Sequence, residues 1–269
     1  MKKPSEEARR RYTDYIKDYK AAIDAALEKE NRTTEIIAAG SPGAGYQRLA
    51  VADDNLNLVA SYLLMSSLSL SFLGFKNEAH LNEARKCLYK TIISLEEIVS
   101  PEVDAPFSDY EEGLASIDAF SDESRYNLLR KIGFAMDSIE EGFGEKSKWK
   151  WSFVELEARF AAVAKNLLNL KTLIAGMDPR SEGYSARLSH LSLAKELLQQ
   201  GADRYREKYE LSAQRVDDIK AGINFLAALR RLHIVLGEVE QAEVVKKKAE
   251  IWRLKMENDL KKAEENAKK

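Results

Sequence analysis

Apolar positions recur every three or four residues along most of the chain, which is the period of one face of an α-helix. Tyr12, Tyr15, Ile16, Tyr19, Ile23 and Ala26 mark the first run. Its start is set near Ser5, with Glu6 and Glu7 placed against the positive end of a helix dipole. The stripe predicts an amphipathic helix docked on the core, with Arg9, Arg10 and Arg11 beside it.

One stretch breaks the pattern. Asn55 to Phe75 passes twenty-one residues without a charge in a chain that is otherwise 32% Asp, Glu, Lys and Arg. Leu56, Val59, Leu63, Leu64, Leu68, Leu70, Phe72 and Leu73 fall on every side of a helical wheel, and a helix apolar all round is expected inside a core or in lipid. Its length fits a bilayer. Its content does not: Asn55, Asn57, Ser61, Ser66, Ser67, Ser69 and Ser71 dilute it, and no Lys/Arg bias or aromatic belt flanks it. The expectation is a central core helix at 55–75, buried on all sides, and no membrane span.

Gly74 can close that helix and Asn77 can cap the next, whose face runs Leu81, Ala84, Leu88, Ile92, Leu95 and Val99 to a stop at Pro101. So short a connection predicts an antiparallel hairpin. Residues 101–123 then carry eight acidic side chains, no basic ones and two prolines, and read as a solvated acidic linker. Leu128, Ile132, Met136, Ile139 and Phe143 give a fourth helix. Phe153, Leu156, Phe160, Val163, Leu167, Leu170 and Ile174 predict a fifth that runs unbroken to Gly176. A sixth follows from Ser185 to Tyr209, a seventh from Ile219 to Leu236, and an eighth bears Ala242, Val245, Ala249, Trp252, Met256, Leu260 and Ala263. The prediction is all-α, with about eight helices as antiparallel hairpins in a bundle or short solenoid-like array. An N-terminal part (1–100) and a C-terminal array (124–269) flank the linker, and the charged last helix projects from the body.

Leu226, Leu229, Leu236, Gly237, Ala242 and Ala249 follow the large-small order of one tetratricopeptide helix pair, so residues 222–252 resemble a single such unit. Arg230, Lys246 and Leu254 depart from that family's small, aromatic and proline positions, and no 34-residue period appears upstream. The resemblance covers roughly a ninth of the chain. It implies helix-hairpin packing and a peptide-binding groove.

Composition narrows the chemistry. Forty-two basic residues against forty-four acidic ones leave no global field for nucleic acid. Cys87 stands alone, among apolar neighbours, and suits a reducing cytosol. The N-terminus has charges but no apolar run of signal-peptide length. Gly40 and Gly45 are spaced as in a phosphate loop, yet Tyr46 and Gln47 stand where Lys and Ser/Thr are needed, so a turn is expected. His80, His190 and His233 lack the glutamate spacing of di-iron bundles and zinc helices. The acidic stretch does not alternate as a calcium loop does. No catalytic, cofactor-binding or metal-ligating residue emerges.

What remains points to a non-catalytic scaffold or protein-interaction protein, a subunit of a larger assembly. Lys146-Ser-Lys-Trp-Lys-Trp151 joins basic and aromatic side chains, and Trp149, Trp151, Trp252 and Met256 are the candidate partner contacts. The apolar seam of the last helix invites a partner helix, including that of a second copy. An alternative is a small-ligand or phosphopeptide domain with a cationic pocket from Arg9–Arg11, Arg125, Arg130, Arg204 and Arg206. An enzyme assembled from distant residues ranks third.

Overall fold

Ser5 accepts a hydrogen bond from the Ala8 N–H at 3.2 Å and so opens the first helix, α1 (Glu6–Ala38). A computed structural model describes residues 4–40, 42–144 and 148–267. Among them lie ten α-helices and two single 3₁₀ turns, with no strand. After α1 come α2 (Ala44–Leu73), α3 (Glu78–Glu96), α4 (Glu111–Ala115), α5 (Asp122–Phe143), α6 (Lys150–Asn166), α7 (Leu170–Leu173), α8 (Tyr184–Leu211), α9 (Val216–Val235) and α10 (Val239–Ala267). The all-α expectation holds, and the helices beyond eight are short ones, α4 and α7.

Two compact units divide these elements. The first takes residues up to Val99, Glu112–Phe120 and Asn127–Lys150; the second takes Ser100–Glu111, Ser121–Tyr126 and Trp151 onward. The units are not contiguous in sequence: Asn127–Lys150 falls in the first unit, and the segment 101–123 is shared between the two rather than standing between them as a solvated linker. Ala105, Tyr110, Leu114 and Ile117 along it are buried. Glu102, Asp109, Glu112, Asp118 and Glu123 are exposed while every few residues an apolar side chain turns in, so both units use parts of it as packing.

In the first unit α1, α2 and α3 pack in sequence order. Tyr15 stacks on Phe72 with ring centroids 5.1 Å apart, while Lys29 pairs with Asp54 at 2.6 Å, so α1 and α2 run antiparallel. Gly74 takes φ 78° to end α2, and the Asn77 side chain accepts from the Ala79 N–H to start α3. The Thr91 hydroxyl then reaches Ala52 O and Ser66 reaches Asn77 O, the register of an antiparallel hairpin. Tyr12, Ile16 and Ile23 of α1 are buried as the stripe requires. Gly43, also left-handed at φ 78°, is the turn that launches α2; Ser41 of the same loop lies outside the described residues.

α2 is not enclosed on all sides. Ala52, Leu56, Val59 and Met65 are buried, but Leu64 is 40% and Leu70 45% exposed. α1 and α3 cover two of its flanks and leave the third open.

The second unit packs α8, α9 and α10 as successive antiparallel neighbours around Leu198, Ile219, Leu226, Leu229 and Trp252. Gly222 lets α9 approach closely: a Cβ there would lie 3.1 Å from Ala202 O and 3.2 Å from the Trp252 ring. The expected long fifth helix is broken. α6 stops at Asn166, Leu168 N–H turns back to Lys165 O, and Asn169 Oδ1 accepts from Lys171 and Thr172 N–H to begin α7. Two asparagines that the apolar period passed over terminate and restart the helix. α10 does not project along its first half, because Ala242, Val245, Ala249 and Trp252 are buried.

Candidate interaction groove

The open flank of α2 is one wall of a groove. Leu56, Ala60, Leu63, Leu64, Ser67 and Leu70 line it from α2, Leu81 of α3 forms part of its floor, and Phe134, Ala135 and Ser138 of α5 form the other wall. The cavity is about 680 Å³ and lies wholly in the first unit. Lys131 of α5 pairs with Asp53 of α2 at 2.7 Å. At the other end Lys76 Nζ donates to Glu141 O and Gly142 O at 3.3 and 3.2 Å, binding the carbonyls that end α5. Between these two ties the walls stand apart. From Leu56 to Leu70 α2 makes fourteen helical rises, a length of about 21 Å.

The two α2 serines that line this wall, Ser66 and Ser67, spend their hydroxyls on backbone carbonyls, as Ser61 and Ser71 do elsewhere on the helix. Ser61, Ser67 and Ser71 hydroxyls donate to the carbonyls four residues back, at 3.0, 3.0 and 3.1 Å. Each hydroxyl folds onto its own helix and adds little polarity to the face. Ser66, which also lines the groove, and the buried Ser69 pin the α2–α3 connection through Asn77 O at 3.4 Å and Phe75 O at 3.0 Å. Phe134 is 75% exposed at the groove edge, the most exposed large hydrophobic side chain among the described residues. An isolated exposed leucine is ordinary, whereas an exposed Phe continuous with a leucine-lined recess is a patch of the kind that receives another surface.

The aromatic anchors expected from sequence lie elsewhere. Trp252 is 1% exposed and belongs to the second unit's core, so it is no surface anchor; Met256 packs half-buried against the same cluster. Lys248 Nζ sits 5.1 Å from the Trp252 ring centroid and the Arg206 guanidinium 5.2 Å, so cations cover the ring. Trp149 is half-buried beneath the Arg85 guanidinium, 4.3 Å from its ring, with Lys148 at 5.4 Å. Trp151 is half-buried in the first turn of α6. Lys146 and Ser147 of that cluster lie outside the described residues.

The arginines of the cationic-pocket alternative are divided between the two units, and several are held by partners within their own unit. Arg11 pairs with Glu7, Arg204 with Glu157 through two 2.8 Å bonds, and Arg206 with Glu210; buried Arg125 reaches Leu167 O. The histidines are equally scattered. His80 meets the Tyr12 hydroxyl at 3.0 Å, and His233 Nδ1 meets Glu238. His190 Nε2 lies 2.8 Å from Ala164 O and must carry its proton there; burial lowers its pKa to about 4. No group of three potential metal ligands occurs among the described residues.

One buried charge has no carboxylate in hydrogen-bond contact. Lys165 at the end of α6 donates to Val103 O at 3.2 Å and Ala105 O at 2.9 Å, while Asn166 donates to Ser100 O and Glu102 O. Burial lowers the Lys165 pKa to about 8. Tyr110 lies beneath it, ring centroid 5.1 Å from Nζ, and burial raises its phenol well above the usual value. Arg231 holds Asp104 at 3.0 Å. Together these side chains strap residues 100–105 onto the second unit. Nothing in the apolar periodicity signalled them, because a lysine and an asparagine at a helix end read as surface.

By length and composition α2 could also cross a bilayer, and 33% of its most apolar window is buried. In the fold it forms a wall. The architecture therefore defines the class: an all-α protein bearing an open apolar groove. The sequence pattern of the TP0443 family matches residues 8–260, and the chain belongs to that family. No curated protein and no solved structure matches it.

Proposed function

We propose that the protein is a non-catalytic interaction protein of the cytosol that receives the apolar face of a partner helix in the groove between α2 and α5. The observation that carries this reading is Phe134, exposed beside a leucine-lined recess. A groove of about 21 Å takes roughly four turns of helix, with anchors at every third or fourth residue. Lys131 is neutralised by Asp53 and Lys76 is offset by Glu141, so the lining carries no net charge and the apolar face is what a partner would read. Scattered, ion-paired arginines weigh against a phosphopeptide pocket, and separated histidines weigh against hydrolytic chemistry. The α9–α10 hairpin, with Ala242 and Ala249 buried, supports reading residues 222–252 as one tetratricopeptide-like pair that braces the second unit.

The test uses a fluorescent four-turn amphipathic peptide with leucine anchors and flanking glutamates, followed by anisotropy. Saturable binding that Phe134→Asp weakens at least tenfold supports the proposal. Equal binding to wild type and Phe134→Asp sinks it, as does cosedimentation with neutral vesicles lost in Leu64→Glu, which would make this face a lipid contact.

A further inference from the structure

α10 has two faces. The inner one, Ala242, Val245, Ala249, Trp252 and Met256, packs against the second unit. The outer one carries Val244, Ile251 and Leu254, each more than half exposed. Their spacing of seven and three residues places them at the a and d positions of a heptad, with Asn258 at the next a. Lys247 and Lys261 fill the intervening d positions, so the seam is short and weak.

The flanking charges supply what the seam lacks. In this register Glu243, Glu250 and Glu257 take the position before each a residue, and Lys248, Lys255 and Lys262 the position after each d residue. In a parallel pair the first set meets the second set of the other helix one heptad on, so every contact is Glu against Lys. In an antiparallel pair each set meets itself and every contact repels. A buried Asn at one a position also selects a parallel, in-register dimer. Lys248 is already held by Asp203 at 2.7 Å and contributes least; Glu250 and Glu257 are exposed on the outer side. Lys255 shares its charge with Asp259 at 3.0 Å.

We propose that the outer face of α10 is a homodimer contact, in which two copies pair their last helices parallel and in register through Val244, Ile251, Leu254 and Asn258. The contact is weak, because lysines interrupt its seam, and it is independent of the groove on the first unit.

Sedimentation equilibrium on the full chain tests it. The wild type shows a monomer–dimer equilibrium. Glu250→Lys with Glu257→Lys raises the dissociation constant about tenfold or more, since four attractive contacts become repulsive. Lys255→Glu with Lys262→Glu does the same, and mixing the two variants restores a dimer at wild-type concentrations. Val244→Cys forms an intermolecular disulfide under mild oxidant. A wild type that stays monomeric at every concentration overturns the proposal, as do two charge variants that fail to pair when mixed while each keeps the wild-type circular dichroism. A dimer that persists without the Val244→Cys cross-link overturns the parallel arrangement.

Discussion

Lys165 offers the sharpest test of how the second unit is held. Its ammonium is buried on two carbonyls, and burial lowers its pKa from 10.5 to about 8. Between those values the unfolded chain holds a proton that the native chain does not, so stability rises with pH across the window. Below pH 8 both states are protonated and this contribution is flat. Up to pH 10, where Tyr110 begins to act with the opposite sign because its phenol ionises more readily unfolded, the gain is about 2 kcal/mol. Lys165→Met removes it. The variant is less stable overall, since Val103 and Ala105 lose their donor. Cys87, whose thiol burial raises to about 11, lowers the stability of both proteins alike above pH 9. The Lys165 contribution is therefore read as a gap between the two urea midpoints, followed by far-UV circular dichroism, that widens from pH 8 to 10. Parallel curves for the two proteins would refute the buried ammonium and, with it, the strap.

Three further outcomes follow from the packing. A Cβ at Gly113 would lie 1.8 Å from Ile98 O, so Gly113→Ala should cost about 3 kcal/mol in urea unfolding, because backbone cannot move aside as a side chain can. Trp252→Ala should lose about 4 kcal/mol yet leave peptide binding in the groove unchanged, as expected of a core residue in the other unit. His190, with its pKa lowered to about 4, leaves the unfolded chain holding the extra proton from pH 6.5 down to 4, so stability falls on acidification through that window by up to about 3 kcal/mol. His190→Gln, which keeps a donor toward Ala164 O, should show a shallower acid limb by that amount, measured as the pH dependence of the urea midpoint.

The backbone was largely legible because its punctuation is local. Ser5, Asn77 and Gly74 each act through a bond or dihedral within a few residues, and each sits where the helices begin or end. The segments that misled are those whose state is decided at long range. Asn166 stops α6 because Ser100 O and Glu102 O stand opposite it, and residues 101–123 pack because their apolar minority finds cores on which to land. Neither partner can be found by scanning a window of the sequence.

The site was hidden for a related reason. Periodicity reports that a helix has an apolar face, and it is silent on whether a neighbour reaches that face. For α2 the uncharged stretch Asn55–Phe75 implied complete enclosure, yet α1 and α3 cover it on two flanks, and between the Lys131–Asp53 and Lys76 ties the side toward α5 is left open. For α10 the seam through Trp252 was read as open to a partner and is buried, while Val244, Ile251 and Leu254, interrupted by Lys247, are the side left exposed. In α10 the residues that end in the core are those with the continuous apolar spacing, and those left outward are interrupted by Lys247. In α2 the serines do not mark a side: Asn55, Ser66 and Ser69 are buried, with the three side chains bonded to backbone carbonyls, while Leu64 and Leu70 stay exposed. Small polar side chains that spend their bonds on backbone allow close packing on one side of α2, and the bulky leucines are left to the side where no neighbour closes in.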